Sequence, residues 1–321
     1  MTAAVADSGG IAAALQRFEE QLDPAQPTAG DASVEIVGYG EVSTAFALAT
    51  LPHAICKRMA GFRDDAGVVR YTEVVRRYID WLTQLGVAVA ETQLVPVRTS
   101  GGGHVVYLVQ PRLPPAGLGH NLLRQADDTT LCACLDAVLA IIATLMRCNS
   151  AATDGRTITV DAQLSNWYFD VRDGVVGAPV LLDVGTPYMR LHGVDEVGVD
   201  IFLAPIPPVI RCYYRRQRAV ERYLDDYFDT RHIVLDLLGN FYKEGRPDRI
   251  PLALAHVNRW LATTAADLGA APLDAAAVAR YYAKDAAALE LFLKARRVDR
   301  FIRTRILRQR YNFILPGPIR R

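Results

Sequence analysis

The sequence predicts an α+β chain in two lobes: a small antiparallel sheet carrying one helix, then a larger and mainly helical lobe. Three observations predict it. Apolar alternation broken by tight turns recurs three times between Val34 and Met59. A single helical stripe follows at 69–85, and the stretch Gln110-Pro111-Arg112-Leu113-Pro114-Pro115 then separates this pattern from a long apolar helical one. The 321 residues suffice for two lobes or one large domain with a sizeable core, without metal or disulfide staples.

Taken in order, residues 1–30 hold a short helical pattern (Ile11, Leu15, Phe18, Leu22) ending in a Pro- and Gly-containing stretch, an N-terminal extension. The first lobe spans 31–111. Its strands fall at 34–37, at 42–49, where Phe46 and Leu48 share one parity, and at 54–59, with turns at Gly38-Tyr39-Gly40 and 50–53. Val74, Val75, Tyr78, Trp81, Leu82 and Leu85 recur at helical spacing, and two more strands, 92–97 and 105–109, flank Gly101-Gly102-Gly103. The second lobe spans 112–321: a long apolar helix at 127–149, an interruption at 158–183, then mainly helix.

Composition excludes several functions. With 36 basic against 35 acidic side chains the net charge is +1, which argues against a general polyanion binder, so no nucleic-acid partner is expected. Five cysteines, without zinc-knuckle spacing, read as free thiols in a reducing, cytoplasmic setting. Residues 1–10 lack a signal-peptide pattern, and the longest predominantly apolar run, 137–146, is ten residues, so no membrane span is expected. Only Lys57, Lys243, Lys284 and Lys294 are lysines, against 32 arginines. Lys57, alone before residue 243 and set among Ala54, Ile55, Cys56 and Met59, suggests a place that needs a compact ammonium.

Four elements carry the chemistry. Gly38-Tyr39-Gly40-Glu41-Val42-Ser43 is a turn whose glycines would let a backbone approach phosphate, or simply close a hairpin. Lys57 lies on a later strand. Asp161 is followed five residues on by Asn166, a carboxylate to orient a hydroxyl and an amide oxygen to hold magnesium. Asp183-Val184-Gly185 ends an apolar run, where a carboxylate is costly unless it is paired or binds a cation.

In order and spacing, these elements resemble the protein-kinase-like superfamily, especially its small-molecule branch of aminoglycoside, choline and fructosamine kinases. The resemblance covers about residues 34–200 and implies a two-lobed kinase-like fold with ATP and Mg2+ as cofactors. It implies that Gly38, Gly40 and Ser43, the last in place of a third glycine, lie over the phosphates. Lys57 would contact the α and β phosphates, Glu73 would hold Lys57, and 107–110, ending in Gln110, would be the hinge for adenine. Asp161 would be the catalytic base, with Asn166 and Asp183 on the metal.

Two departures stand out: Thr159 replaces a histidine two residues before Asp161, and Gln163 replaces the usual Lys or His two residues after it. On an ideal helix, at about 100° per residue, Glu73 also sits about 140° from the centre of the apolar stripe.

The leading expectation is a phosphotransferase that passes the γ-phosphate of ATP to a hydroxyl of a small molecule. No Ala-Pro-Glu element follows Asp183-Val184-Gly185, which makes protein phosphorylation the weaker enzymatic option. The alternative is a pseudokinase, a nucleotide-binding or scaffolding module without turnover. A Rossmann unit fits less well, because about ten residues containing Pro52 separate Ser43 from the next strand where a helix is required. The six histidines are too scattered for a shared metal site. The arginines of 211–222 could hold an anion or form a solvated face, and 296–310, with seven arginines, reads as a basic amphipathic helix.

Overall fold

A computed structural model describes residues 8–28 and 33–317; residues 1–7, 29 and 30 of the expected extension lie outside the described part. The small lobe is built on strands β1 (Val34–Tyr39), β2 (Ser43–Leu48) and β3 (Ala54–Phe62), the helix α2 (Asp65–Gln84), the short β4 (Ala88–Val89), and strands β5 (Gln93–Arg98) and β6 (His104–Pro111). Five of these strands form one antiparallel sheet in the order β1-β2-β3-β6-β5.

The two-residue period of β3 decides what the sheet presents to each side. Cys56, Arg58 and Ala60 face a helix that precedes the sheet, α1 (Ser8–Gln21), while Lys57 and Met59 face α2 and the large lobe. Helix α1 is therefore an integral part of the small lobe: Ile11, Leu15 and Leu22 are buried in the core it shares with Phe46, Cys56 and Tyr107. Within that core Glu19 takes a fork of hydrogen bonds from Arg58, 2.8 Å each from Nε and Nη2, and one from the Tyr107 hydroxyl at 2.7 Å. Both charges are removed from water, at 0% and 2% exposure, so each requires the other.

Helix α2 starts at Asp64, whose carboxylate accepts from Gly67 N–H at 2.8 Å, and it buries Tyr71, Val75, Tyr78 and Leu82. At its end the chain turns through Gly86, with φ +82°, into β4. There β4 pairs in parallel with β11 (Val180–Leu181), which in turn pairs with β8 (Trp167–Tyr168), a small sheet joining the two lobes.

The large lobe runs through α3 (Gly119–Gln125), α4 (Asp128–Ala151) and β7 (Arg156–Ile158), then β8, β9 (Val171–Arg172), β10 (Val175–Val176), β11, β12 (Met189–Leu191) and β13 (Val194–Asp195). Helices α5 (Asp200–Leu203), α6 (Pro208–Arg216), α7 (Ala219–Asp226), α8 (Thr230–Lys243), α9 (Ile250–Ala262) and α10 (Ala275–Phe301) complete it. The expected α+β, two-lobed architecture is present. By length and apolar composition α4 is the one helix among the described residues that could cross a membrane. In the fold it lies at the centre of the lobe, with Leu131, Leu135, Val138, Leu139, Ile142 and Leu145 fully buried.

The stretch 296–310 differs from its reading as one amphipathic helix: α10 ends at Phe301, a π-type turn covers Ile302–Ile306, and the chain then leaves helix. Arg296 is buried rather than solvated, donating to the carbonyls of Glu41 and Ile314. From 308 the chain crosses back to the small lobe, where Tyr311, Phe313 and Ile314 join the α1 core and the Asn312 carbonyl accepts from Arg58 Nη1 at 2.7 Å. All five cysteines are free thiols.

Candidate active site

The hairpin between β1 and β2 bulges at Val37: Ile36 pairs with Phe46, but Gly38 pairs with Ala45. At its tip Gly40 N–H donates to the Ser43 carbonyl at 3.0 Å, and a Cβ on residue 40 would overlap Ser43 Oγ, so the glycine and the buried serine fit as a pair. Ser43 thus points into the hairpin. Val42 folds under the tip into the large-lobe core, and Glu41 rests on that lobe, its carboxylate accepting from the Tyr223 hydroxyl at 3.3 Å.

The β3 register sends Lys57 across to Asp183, 2.6 Å from Nζ to Oδ1. Asp183 follows the end of β11 and also accepts from Gly185 N–H at 3.0 Å. Burial disfavours its charge, but the Lys57 ammonium and the Gly185 N–H outweigh that cost and hold its carboxyl below the usual carboxylate range.

Glu73 is not brought to Lys57. It lies on the exposed face of α2, where the apolar stripe left it, and the same helix uses tyrosines instead. The Tyr71 hydroxyl donates to the Gly185 carbonyl at 2.9 Å and the Tyr78 hydroxyl to the Thr159 carbonyl at 2.7 Å, so α2 holds the backbones beside Asp183 and Asp161 directly.

Gln110 is placed at the junction of the lobes, but its side-chain amide is engaged by Thr92 Oγ1 at 2.9 Å and the Leu182 carbonyl at 2.7 Å. It ties the small lobe to the residue before Asp183 rather than presenting its amide to a base.

Opposite, Leu182 N–H donates to the Asn166 carbonyl at 2.8 Å, which seats Asn166 beside the Asp183 turn. The Asn166 side-chain N–H donates to the Asp161 carbonyl at 3.3 Å, so the two ends of the loop fix one another. This loop packs closely on the start of α3. A Cβ at Gly119 would run into the Leu164 carbonyl, which makes that glycine a condition of the loop's position.

Two residues of this centre, Asp236 and Lys243, were missed by the sequence reading. Asp236 of α8, 2% exposed, accepts from Gln163 Nε2 at 2.7 Å and from the Tyr281 hydroxyl at 2.9 Å. Lys243, one helix end away, lies 3.7 Å from Asp236 and 3.2 Å from Asp285. Two signals could have found them: Lys243 is another of the four lysines, and Asp236 is an acid set in the apolar run Ile233-Val234-Leu235-Asp236-Leu237-Leu238. Together they adjust the state of Asp161. Burial pushes its carboxyl up to about 8, the Asp236 charge adds to this, and Lys243 and the Gln163 N–H pull it back.

A cavity of about 690 Å³ opens beside this network between α7, α8 and α10. Asp236, Tyr281 and Lys284 line it, with Glu41 of the hairpin on its other wall. No cluster of three His, Cys, Asp or Glu suited to a metal ion occurs among the described residues. Asp183 and Asn166 offer two hard oxygen donors, a set that fits Mg2+ where phosphate oxygens and water complete the shell.

A family model matches residues 17–300, most of the chain. The chain belongs to the family described as "Family of unknown function (DUF6206)". No curated protein matches its sequence. Among solved structures it is similar to WaaP in complex with acyl carrier protein, at 13% identity and a TM-score of 0.31 over 79% of this chain and 96% of that one. It is also similar to the GDP and kanamycin complex of APH(2")-IIia, at 10% identity and a TM-score of 0.33 over 78% and 98%.

Proposed function

We propose that this chain is an ATP- and magnesium-dependent phosphotransferase that passes the γ-phosphate to a hydroxyl of a small molecule. The observation that carries the reading is the Lys57–Asp183 pair, 2.6 Å apart and 126 residues apart in sequence, set over the loop that holds Asp161 and Asn166. A lysine and a carboxylate held together at a cleft, with a second, half-buried carboxylate nearby, is a costly arrangement, and phosphoryl transfer has a use for each part.

In this reading Lys57 turns from Asp183 to the α and β phosphates as nucleotide enters, and Asp183 and Asn166 hold magnesium. The ion neutralises charge on the transferring phosphate when bound. The hairpin 38–43 covers the phosphates with its backbone. The acceptor lies in the cavity beside α8, and Asp161, once ionised, accepts the proton of the acceptor hydroxyl. Asp236 and Lys243 position the loop through Gln163 and tune the charge on Asp161.

One observation favours the second reading, a nucleotide-binding module without turnover: Gln163 brings no charge to the loop, and its amide is committed to Asp236. Titration calorimetry with ATP, with and without magnesium, on wild type and Asp183→Ala tests the site itself. ATP turnover in wild type against Asp161→Asn then separates the two readings. Magnesium-dependent binding with turnover lost in Asp161→Asn supports the enzyme. Binding without turnover supports the module, and no binding removes both.

A further inference from the structure

We infer that the cavity between α2, the 195–211 segment and the returning chain at 303–313 is a binding site for a phosphorylated small molecule, separate from the candidate active site. It encloses about 840 Å³, the size of a pocket for a small molecule rather than a lone ion. Five arginines line it: Arg63, Arg70, Arg211, Arg303 and Arg310.

The charge balance around them is one-sided. Among the described residues only Arg303 has a carboxylate partner, Asp299 at 2.8 Å. The acids of the same wall are already used, three of them by bases that lie outside the cavity. Asp195 pairs with Arg190 at 2.7 Å, Glu196 with Arg77 at 2.7 Å, and Asp200 with Arg215. The fourth, Asp64, caps α2. Positive charge is thus left over where chain segments converge.

Arg211 concentrates this surplus. Its Nη2 is held by the carbonyls of Ala204 and Ile206, 3.2 Å each, so the guanidinium is fixed in place with no ion pair of its own among the described residues, and its Nε is buried with no partner. Burial, then the nearby charges of Arg303 and Arg63, lower its pKa, and Asp299 offsets this only in part; an anion in the cavity would relieve the remaining repulsion. Asn312 Oδ1, also buried and unpartnered, is an acceptor for a hydroxyl on the ligand, and Phe62, Tyr71 and Phe313 offer an apolar wall for its carbon frame. Planar, fixed guanidinium groups are suited to phosphate oxygens, which take paired N–H donors. Tyr71 also gives the site a route to the active centre, since the side chain that lines this cavity bonds the Gly185 carbonyl.

The test is calorimetric titration of the whole chain with inorganic pyrophosphate in the absence of magnesium. Wild type and Lys57→Ala are expected to bind one equivalent alike. Arg63→Ala, which alters an exposed side chain with no ion pair, is expected to weaken binding about tenfold or more, as is Arg211→Gln. Thermal unfolding of each variant confirms that it folds, and Arg63→Ala keeps the test decisive should Arg211→Gln fail to do so. No binding by wild type overturns the inference. So does binding that Lys57→Ala abolishes while Arg63→Ala leaves it intact, because the pyrophosphate then sits in the active site. Pelleting with phosphatidate vesicles, lost in Arg63→Ala, would assign the phosphate to a lipid headgroup; pyrophosphate binding without pelleting assigns it to a soluble ester.

Discussion

Replacing Asp161 by asparagine removes a titrating group at nearly constant shape, and the consequence depends on pH. The Asp161 carboxyl, ordinarily near 3.8, is pushed up to about 8, chiefly by burial and then by Asp236. Between these two values the unfolded chain has lost a proton that the folded chain still holds. Stability relative to a neutral side chain therefore falls as pH rises through this window, and the whole penalty is present above pH 8. At 1.36 kcal/mol per unit, about four units set a ceiling of about 6 kcal/mol, and sharing of the charge with the Asp236 and Lys243 network leaves on the order of a few kcal/mol. Thermal unfolding at pH 5 and pH 9 measures it. Asp161→Asn is expected to gain several degrees over wild type at pH 9 relative to the difference at pH 5, at about 2–4 °C per kcal/mol. Turnover should move the other way, falling about a hundred- to ten-thousand-fold, and a wild-type rate that climbs towards pH 8 should lose that limb in the variant. A difference in midpoint that is the same at both pH values would refute the placement of a raised carboxyl at 161.

Four further outcomes are expected. Lys57→Ala weakens ATP binding at least tenfold in calorimetry while its unfolding midpoint shifts little, since the Lys57–Asp183 pair is partly exposed. Glu73→Ala leaves ATP affinity within twofold of wild type; a loss like that of Lys57→Ala would mean that α2 turns to bring the carboxylate inward. Arg58→Met strands the buried Glu19 charge and should cost about 3–5 kcal/mol in denaturant unfolding. Gly119→Ala forces Leu164 aside and should lower both stability, by about 1–3 kcal/mol, and turnover, because Asn166 is displaced with the loop; a fully active variant would show that the loop adjusts freely.

The strands of the small lobe were legible because alternation and glycine turns are local properties, and the face on which Lys57 falls follows from its parity on β3. The acid that meets it was legible as a motif but not as a partner, because the pairing is made by two segments 126 residues apart. Glu73 shows the opposite case. Its angular position on α2 already contradicted the transferred role, and the helix packs as its apolar stripe dictates, with Tyr71 and Tyr78 inward. The pattern 11–22 gave a helix without its destination; that is fixed by Glu19, whose partner for its buried charge among the described residues is Arg58 on the central strand of the sheet. Asp236 and Lys243 were hidden for the same reason. Each reads as an ordinary helix residue until α8 is laid against the loop at 161–166.

The return of residues 308–314 to the small lobe has a mechanical consequence. The connection at 111–112 is one covalent crossing between the lobes, beside the hydrogen-bonded β4–β11 pair, and this segment is a second, anchored by Arg58, Tyr311 and Phe313. A body held at one crossing can swing in any direction, whereas a body held at two turns mainly about the line that joins them. Gaping apart would tear the aromatic anchors out of the α1 core. Twisting, or flexing of the hairpin at 38–43 alone, leaves them seated, and under the proposed function such a motion would admit a nucleotide to Lys57.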